Sequence, residues 1–175
     1  DLMKNEFIKR ILSSIILIPI AYFFIVKGSF LFNFFILICF GIVTYEWHMM
    51  SKKKFYYIFG LIFLVFSLYS TYHLRNDFFG DYLYLLLITL ICVSTDIGGY
   101  IFGKLFKGPK LTKISPKKTY SGMIGGYLLS IIILNLSLNS SYIFLKPLEL
   151  SLDIFLFILL VSTVSQFGDI LVSYF

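Results

Sequence analysis

The sequence predicts an all-α, polytopic integral membrane protein, with about six transmembrane helices forming one domain over residues 1–175. Three observations lead there. Hydrophobic residues make up 59% of the chain and charged residues only 14%, more apolar surface than a soluble core of this length can hide. The apolar residues fall into runs close to the roughly 20 residues that a bilayer-spanning helix needs. None of the runs alternates with the two-residue period of a barrel strand, so helices are the form in which lipid leaves no backbone group unpaired. The 21 Phe and 13 Tyr suit the same setting, Phe in the hydrocarbon and Tyr at headgroup level.

The first run, residues 11–26, follows Lys9 and Arg10. Those charges imitate a signal peptide, but no small-residue cleavage site follows and further spans do, so it reads as an uncleaved first helix. Pro19 predicts a kink within it, and Gly28 a tight turn into the second run, residues 29–47. The remaining runs cover 55–72, 82–102, 121–138 and 150–173. Cys39 and Cys92 both lie inside apolar runs and read as small buried hydrophobes, with no disulfide framework or zinc spacing between them. His48 and His73 show no partner in the sequence and read as interfacial. Glu46 either pairs with a lysine of the Lys52–Lys54 cluster or faces the same cavity as the other carboxylates. The chain starts at Asp1, and its last span stops at Tyr174 and Phe175 with no polar tail, which reads as truncation at the carboxyl terminus.

The loops set the orientation. With the amino terminus in the cytoplasm, the inside segments carry Lys4, Lys9, Arg10, Lys52, Lys53, Lys54 and six lysines from Lys104 to Lys118. The outside segments carry Lys27, Arg75 and Lys146, a split of 12 to 3 that is a strong positive-inside signal. Asp77 and Asp81 then fall outside as solvated loop carboxylates. Topology and anionic lipid account for the net charge of +6, and nucleic acid is not an expected partner.

The stretch 92–126 stands apart from this filler. Asp96 follows the apolar run Tyr82–Val93, and an ionisable side chain in a span is a candidate functional residue by default. At about 1.5 Å per residue it sits about 10 Å below the loop that opens at Lys104, within reach of water. Gly98, Gly99 and Gly103 follow. They admit a substrate or another helix, or they are plain packing devices with Asp96 as an interhelical hydrogen-bonding partner. Lys104, Lys107, Lys110, Lys113, Lys117 and Lys118 come next, ammonium groups able to hold phosphate. The bland alternative is lipid attraction, worth about 1 kcal/mol per lysine. Ser115, Lys117, Lys118, Thr119 and Ser121 precede Gly122, Gly125 and Gly126, at a helix start whose free N–H groups attract phosphate. Ser121 equally suits a simple N-cap. Late in the sixth run come Gln166, Gly168 and Asp169. Asp96 and Asp169, nearing one face beside lysines, suggest a divalent metal with a polyphosphate, and hard oxygen ligands favour Mg2+ over zinc.

Three blocks now carry a resemblance: STDIGGYIFGK (Ser94–Lys104), ISPKKTYSGMIGG (Ile114–Gly126) and SQFGDILVSYF (Ser165–Phe175), after an amino-terminal KRILSSIILIPI. In this order and spacing they closely resemble the bacterial phosphatidate cytidylyltransferase family, also called CDP-diacylglycerol synthases. The resemblance implies a multi-pass inner-membrane enzyme, its site facing the cytoplasm, that joins CTP and phosphatidic acid to give CDP-diacylglycerol and pyrophosphate using Mg2+. It implies Asp169 as a metal ligand and Asp96 as part of the same polar site. Lys117, Lys118, Thr119 and Ser121 would contact nucleotide or lipid phosphates, with Lys118 and the two carboxylates carrying the catalysis. The family continues past this helix into a segment with a Lys-Asp pair, a Pro-Gly-His-Gly-Gly run and an Asp-Arg-x-Asp ending. This chain stops before it, so further metal ligands are expected outside it.

Two rivals share the vocabulary. An ion-coupled transporter also uses intramembrane carboxylates and broken glycine-rich helices, although no inverted repeat is visible and the charges gather on one side rather than at the midplane. A CTP-dependent lipid kinase would put similar groups around CTP but transfer the γ-phosphate. A purely structural membrane subunit is the remaining alternative. CTP, phosphatidic acid and membrane lipids are the expected partners, and the oligomeric state stays open, with a homodimer among the options.

Overall fold

The computed structural model describes residues 16–52, 54–76, 82–112, 115, 118–138 and 151–174. Its helices are α1 (Ile16–Lys27), α2 (Ser29–Ser51), α3 (Tyr57–Asn76), α4 (Leu83–Phe106), α5 (Tyr120–Leu138) and α6 (Leu152–Tyr174). All six apolar runs are therefore met by helix, and five of these helices are long and apolar enough to cross a membrane. Residues 11–15 of the first run lie outside the described residues, and α1 is correspondingly shorter. Large apolar side chains point outward along every helix, as with Phe30, Phe63, Leu105, Leu136 and Leu160. Water would penalise each by about 1.5–3 kcal/mol, a cost that lipid removes. The chain is a multi-pass membrane protein built of helices.

It divides into two compact units, one ending at Leu86 and the other starting at Leu87. In the first, Gly28 separates α1 from α2 with φ at 62°, a conformation that favours glycine. A side chain there would also run into the guanidinium of Arg75. Arg75 fills that space because the last carbonyls of α1 lack helical partners: its Nε donates to Ile25 O at 2.8 Å. The rings of Phe32 and Tyr82 lie 5.8 and 5.7 Å from the guanidinium carbon. At the other end of α2, Trp47 Nε1 donates to Tyr57 O at 3.1 Å, and the indole lies where a side chain on Gly60 would be. His48 Nδ1 meets Tyr57 Oη at 3.0 Å, and His73 lies tilted against Tyr69 with ring centroids 4.2 Å apart. Both histidines, read from sequence as partnerless, thus have aromatic partners, because the turn after α2 and the helical spacing within α3 bring rings to them. Glu46 is exposed and makes no ion pair with Lys52 or Lys54 among the described residues.

In the second unit α4 and α5 approach at backbone distance. A Cβ on Gly98 would sit 2.5 Å from Gly125 O, and one on Gly122 would sit 2.6 Å from Gly99 O. The glycines are therefore packing devices, the reading in which small residues let helices touch. The chain leaves α4 at Lys107, which takes a left-handed φ of 49°, and then folds back along itself. Leu111 N donates to Lys118 O at 2.8 Å and Tyr120 N to Pro109 O at 3.1 Å, forming a short antiparallel bridge between Lys110 and Thr119. That bridge fixes where α5 begins. On the far side Ser151 Oγ accepts from Ile154 N at 3.3 Å, and Asp153 lies in the first turn of α6, both suited to a helix start.

Candidate active site

Two of the predicted residues meet directly. Lys118, held by the bridge just ahead of α5, donates from Nζ to Asp169 Oδ2 on α6 at 2.8 Å, and the same Nζ lies 3.4 Å from Gln166 O. Asp96 on α4 is reached from α6 by Ser165, whose Oγ donates to Asp96 Oδ1 at 3.5 Å. Ser165 lies one turn before Asp169 on α6, so the hydroxyl that reaches Asp96 stands next to the carboxylate that holds Lys118. One cation and two carboxylates from different segments therefore gather in one place. The Asp169 side chain is 53% exposed, and an ion pair this open adds only about 0–1 kcal/mol to stability. Its presence at the end of an otherwise apolar helix needs a reason other than folding.

The hydroxyls at the start of α5 are arranged differently from expectation. Thr119, not Ser121, is the N-cap: its Oγ1 accepts from Gly122 N at 3.2 Å. Ser121 sits inside the first turn, 3.0 Å from Thr119 Oγ1, and accepts from Gly108 N at 3.4 Å. Two of the donors expected to attract phosphate, Tyr120 N and Gly122 N, thus already serve Pro109 O and Thr119 Oγ1. Lys104 lies at the end of α4, exposed, with Nζ 5.7 Å from the Tyr100 ring centroid. It stands eight residues, a little over two turns, beyond Asp96 in α4. Lys117 lies outside the described residues, as do Lys113 and Pro116.

Sequence reasoning passed over Ser165 and Ser173, and it did not foresee that Ser115 meets α6. Ser165 supports Asp96, and Ser173 Oγ donates to Asp169 O at 2.7 Å while accepting from Ser115 Oγ at 3.3 Å. Their spacing is the missed signal. Ser165, Asp169 and Ser173 recur every fourth residue, a polar stripe on one face of an apolar helix.

No three of His, Cys, Asp and Glu cluster among the described residues in a way that could hold a metal. Carboxylates such as Asp96 and Asp169 are hard oxygen donors, the kind that a divalent cation takes. Mg2+ characteristically takes one or two carboxylates, keeps several waters and completes its shell with substrate phosphates. The half-exposed setting of Asp169 leaves room for both.

The Cytidylyltransferase family matches residues 52–175, which contain every residue of this site. The chain is similar to the phosphatidate cytidylyltransferase of Rickettsia bellii, at 32% identity over all of this chain and 77% of that protein. That of Rickettsia felis is 32% identical over 98% of this chain and 77% of the relative. Phosphatidate cytidylyltransferase 1 of Arabidopsis thaliana is 38% identical over 52% of this chain and 23% of its own length. No solved structure matches the chain. With identity to the rickettsial proteins running its full length and the family match spanning its three motif blocks, this chain belongs to the phosphatidate cytidylyltransferase family.

Proposed function

We propose that this protein transfers a cytidylyl group from CTP to phosphatidic acid, releasing pyrophosphate and leaving CDP-diacylglycerol in the membrane. The observation that carries this reading is the Lys118–Asp169 contact at 2.8 Å, with Asp96 reached by Ser165 from one turn away on the same helix as Asp169. A lysine able to hold phosphate and carboxylates able to hold a metal meet at the end of membrane-crossing helices. The family and the names of its rickettsial members point to the same pair of substrates.

The chemistry asks little covalent work of the protein. A non-bridging phosphate oxygen of phosphatidic acid attacks the α-phosphorus of CTP, the bond to the β-phosphate oxygen breaks, and pyrophosphate leaves in line. No protein nucleophile takes part. The difficulty is bringing two polyanions together, and a pre-placed positive charge answers it. Lys118 turns from Asp169 to the phosphates and balances part of their charge. Asp96 and Asp169 are the residues that would hold Mg2+, which neutralises phosphate oxygens and draws charge from the phosphorus. Ser165 holds Asp96 in a fixed orientation. The lipid tails remain in the bilayer while the headgroup meets a water-soluble nucleotide, and this requires a site near one membrane face. The excess of lysine and arginine on the same side as Lys118 supports a site on the cytoplasmic face of a bacterial inner membrane.

The deciding experiment follows label from CTP into lipid with the purified full-length protein in phosphatidate-containing micelles. Labelled CDP-diacylglycerol and stoichiometric pyrophosphate are expected, whereas CDP with a newly phosphorylated lipid would mark a lipid kinase instead. Asp169→Asn is expected to lower kcat by about 100-fold or more. Full activity in that variant would remove Asp169 from the metal site.

A further inference from the structure

One turn below the charged group lies a set of buried hydroxyls that the reaction does not use. Thr95 on α4, Ser130 on α5 and Ser162 on α6 are 1%, 0% and 0% exposed. Ser162 Oγ is 2.5 Å from Thr95 Oγ1 and 3.1 Å from Ser130 Oγ, so one small side chain joins all three helices of this unit. At its ends the cluster meets backbone: Thr95 Oγ1 lies 2.8 Å from Ile91 O and Ser130 Oγ 2.9 Å from Tyr127 O. A hydroxyl has one hydrogen to give and two lone pairs to accept with. Ser130 can donate to Ser162, Ser162 to Thr95 and Thr95 to Ile91 O; alternatively Thr95 donates to Ser162, Ser162 to Ser130 and Ser130 to Tyr127 O. Either direction employs every hydrogen, so the cluster is fully satisfied without water, as a polar group buried among apolar helices requires.

Its place along the helices gives it a role. Thr95 is the residue before Asp96. Ser162 precedes Ser165 by one turn and Asp169 by two, and Ser162, Asp169 and Ser173 fall on one face of α6. A shift of α6 by a single residue would move Asp169 about 1.5 Å along the axis and about 100° around it, away from Lys118. Nothing in the apolar surface resists such a slip strongly, because leucine against lipid and leucine against leucine are nearly equivalent. The glycine contacts fix α4 against α5, and α6 is tied to α5 by Tyr127 Oη with Thr163 Oγ1 at 2.8 Å and by Gln166 Nε2 donating to Met123 O at 3.4 Å, whereas toward α4 its short contact is the one from Ser162 to Thr95.

We propose that Thr95, Ser162 and Ser130 form a hydroxyl pin that sets the register of α6, so that Ser165 and Asp169 arrive at Asp96 and Lys118. Ser162 and Thr95 are positioning residues, acting through the carboxylates rather than on substrate. The catalytic half of this inference rests on the proposed cytidylyl transfer, while the register half does not.

Two readouts separate them. The first is kcat and KM for CTP. The second is a disulfide between Ser115→Cys and Ser173→Cys, whose native Oγ atoms lie 3.3 Å apart, quantified as the cross-linked peptide by mass spectrometry. Thr95→Val and Ser162→Ala, each made in the full-length protein, are expected to lower kcat by about tenfold or more with KM for CTP nearly unchanged. Cross-linking yield should fall in parallel. Thr95→Ser keeps the hydroxyl and should hold both readouts at the parent level. Should Ser162→Ala not fold, the Thr95→Val and Thr95→Ser pair decides the matter alone. Unchanged kcat, a fall in kcat without a fall in cross-linking, or failure of Thr95→Ser to preserve both would overturn the pin. A parent protein with no cytidylyl transfer at all would refute the functional reading instead, and the cross-link alone would then judge the register.

Discussion

The unit ending at Leu86 and the unit starting at Leu87 solve the same problem, holding apolar helices together in an apolar solvent, by opposite means. The first clamps its helices at their ends with large side chains. Arg75 closes the junction of α1 and α2, Trp47 and His48 bind Tyr57 at the turn into α3, and α3 between them buries none of its residues. The second packs along its helices with the smallest side chains available, Gly98 against Gly125 and Gly122 against Gly99. The charged residues that meet in a site belong to the second. End clamps tolerate movement of a few tenths of an ångström, but positions that must hold a metal and a phosphate together do not.

Enlarging one glycine in each unit breaks the comparison open. Gly98→Val is expected to have the largest effect, because its Cβ would meet the carbonyl of Gly125 and the Cα of Gly126, and backbone cannot turn aside. A cost of about 3 kcal/mol or more should appear as a steep loss of thermal stability in detergent, with cytidylyl transfer falling at least as far. If Gly98→Val kept both, close contact between α4 and α5 would not be what builds the site.

Gly60→Val tests the other unit and is expected to do less. The atoms nearest to an added Cβ belong to the indole of Trp47, a side chain that can swing away at the expense of its hydrogen bond to Tyr57 O. About 1–2 kcal/mol of stability should be lost, with kcat within about twofold of the parent under conditions where the variant is folded. A fall in kcat as large as that of Gly98→Val would show that the two units do not divide support from chemistry.

Much of this was legible in the residues. The spans follow from hydropathy alone, and the convergence of Asp96, Lys118 and Asp169 follows from placing each at the same end of its helix by loop charge. What stayed hidden depends on which way a helix faces. Ser94 and Ser137 return their hydroxyls to their own helix, at Leu90 O and Ile133 O, while Ser130 and Ser162 reach across to another. In an apolar run these look alike, since a hydroxyl in lipid is satisfied equally well either way. The cap at Thr119 rather than Ser121 was missed for a similar reason. Both are good capping residues two positions apart, and only the bridge from Lys110 selects between them.

Lysines supply the finest test, because sequence reasoning put Lys104 and Lys118 in one binding site and the fold gives them different surroundings. Lys118 is tied to Asp169 at 2.8 Å, whereas Lys104 lies over the Tyr100 ring at the exposed end of α4. A lysine at an exposed helix end attracts anionic lipid for about 1 kcal/mol, and that is the role expected of Lys104. Lys104→Gln should therefore leave kcat and KM for CTP within about threefold of the parent. Its measurable effect belongs in membrane affinity, as weaker binding of anionic over zwitterionic lipid in native mass spectrometry. If Lys104→Gln instead raised KM for CTP tenfold, with lipid preference unchanged, the end of α4 would have to close over the nucleotide during turnover. The phosphate site would then extend well beyond the Lys118–Asp169 pair.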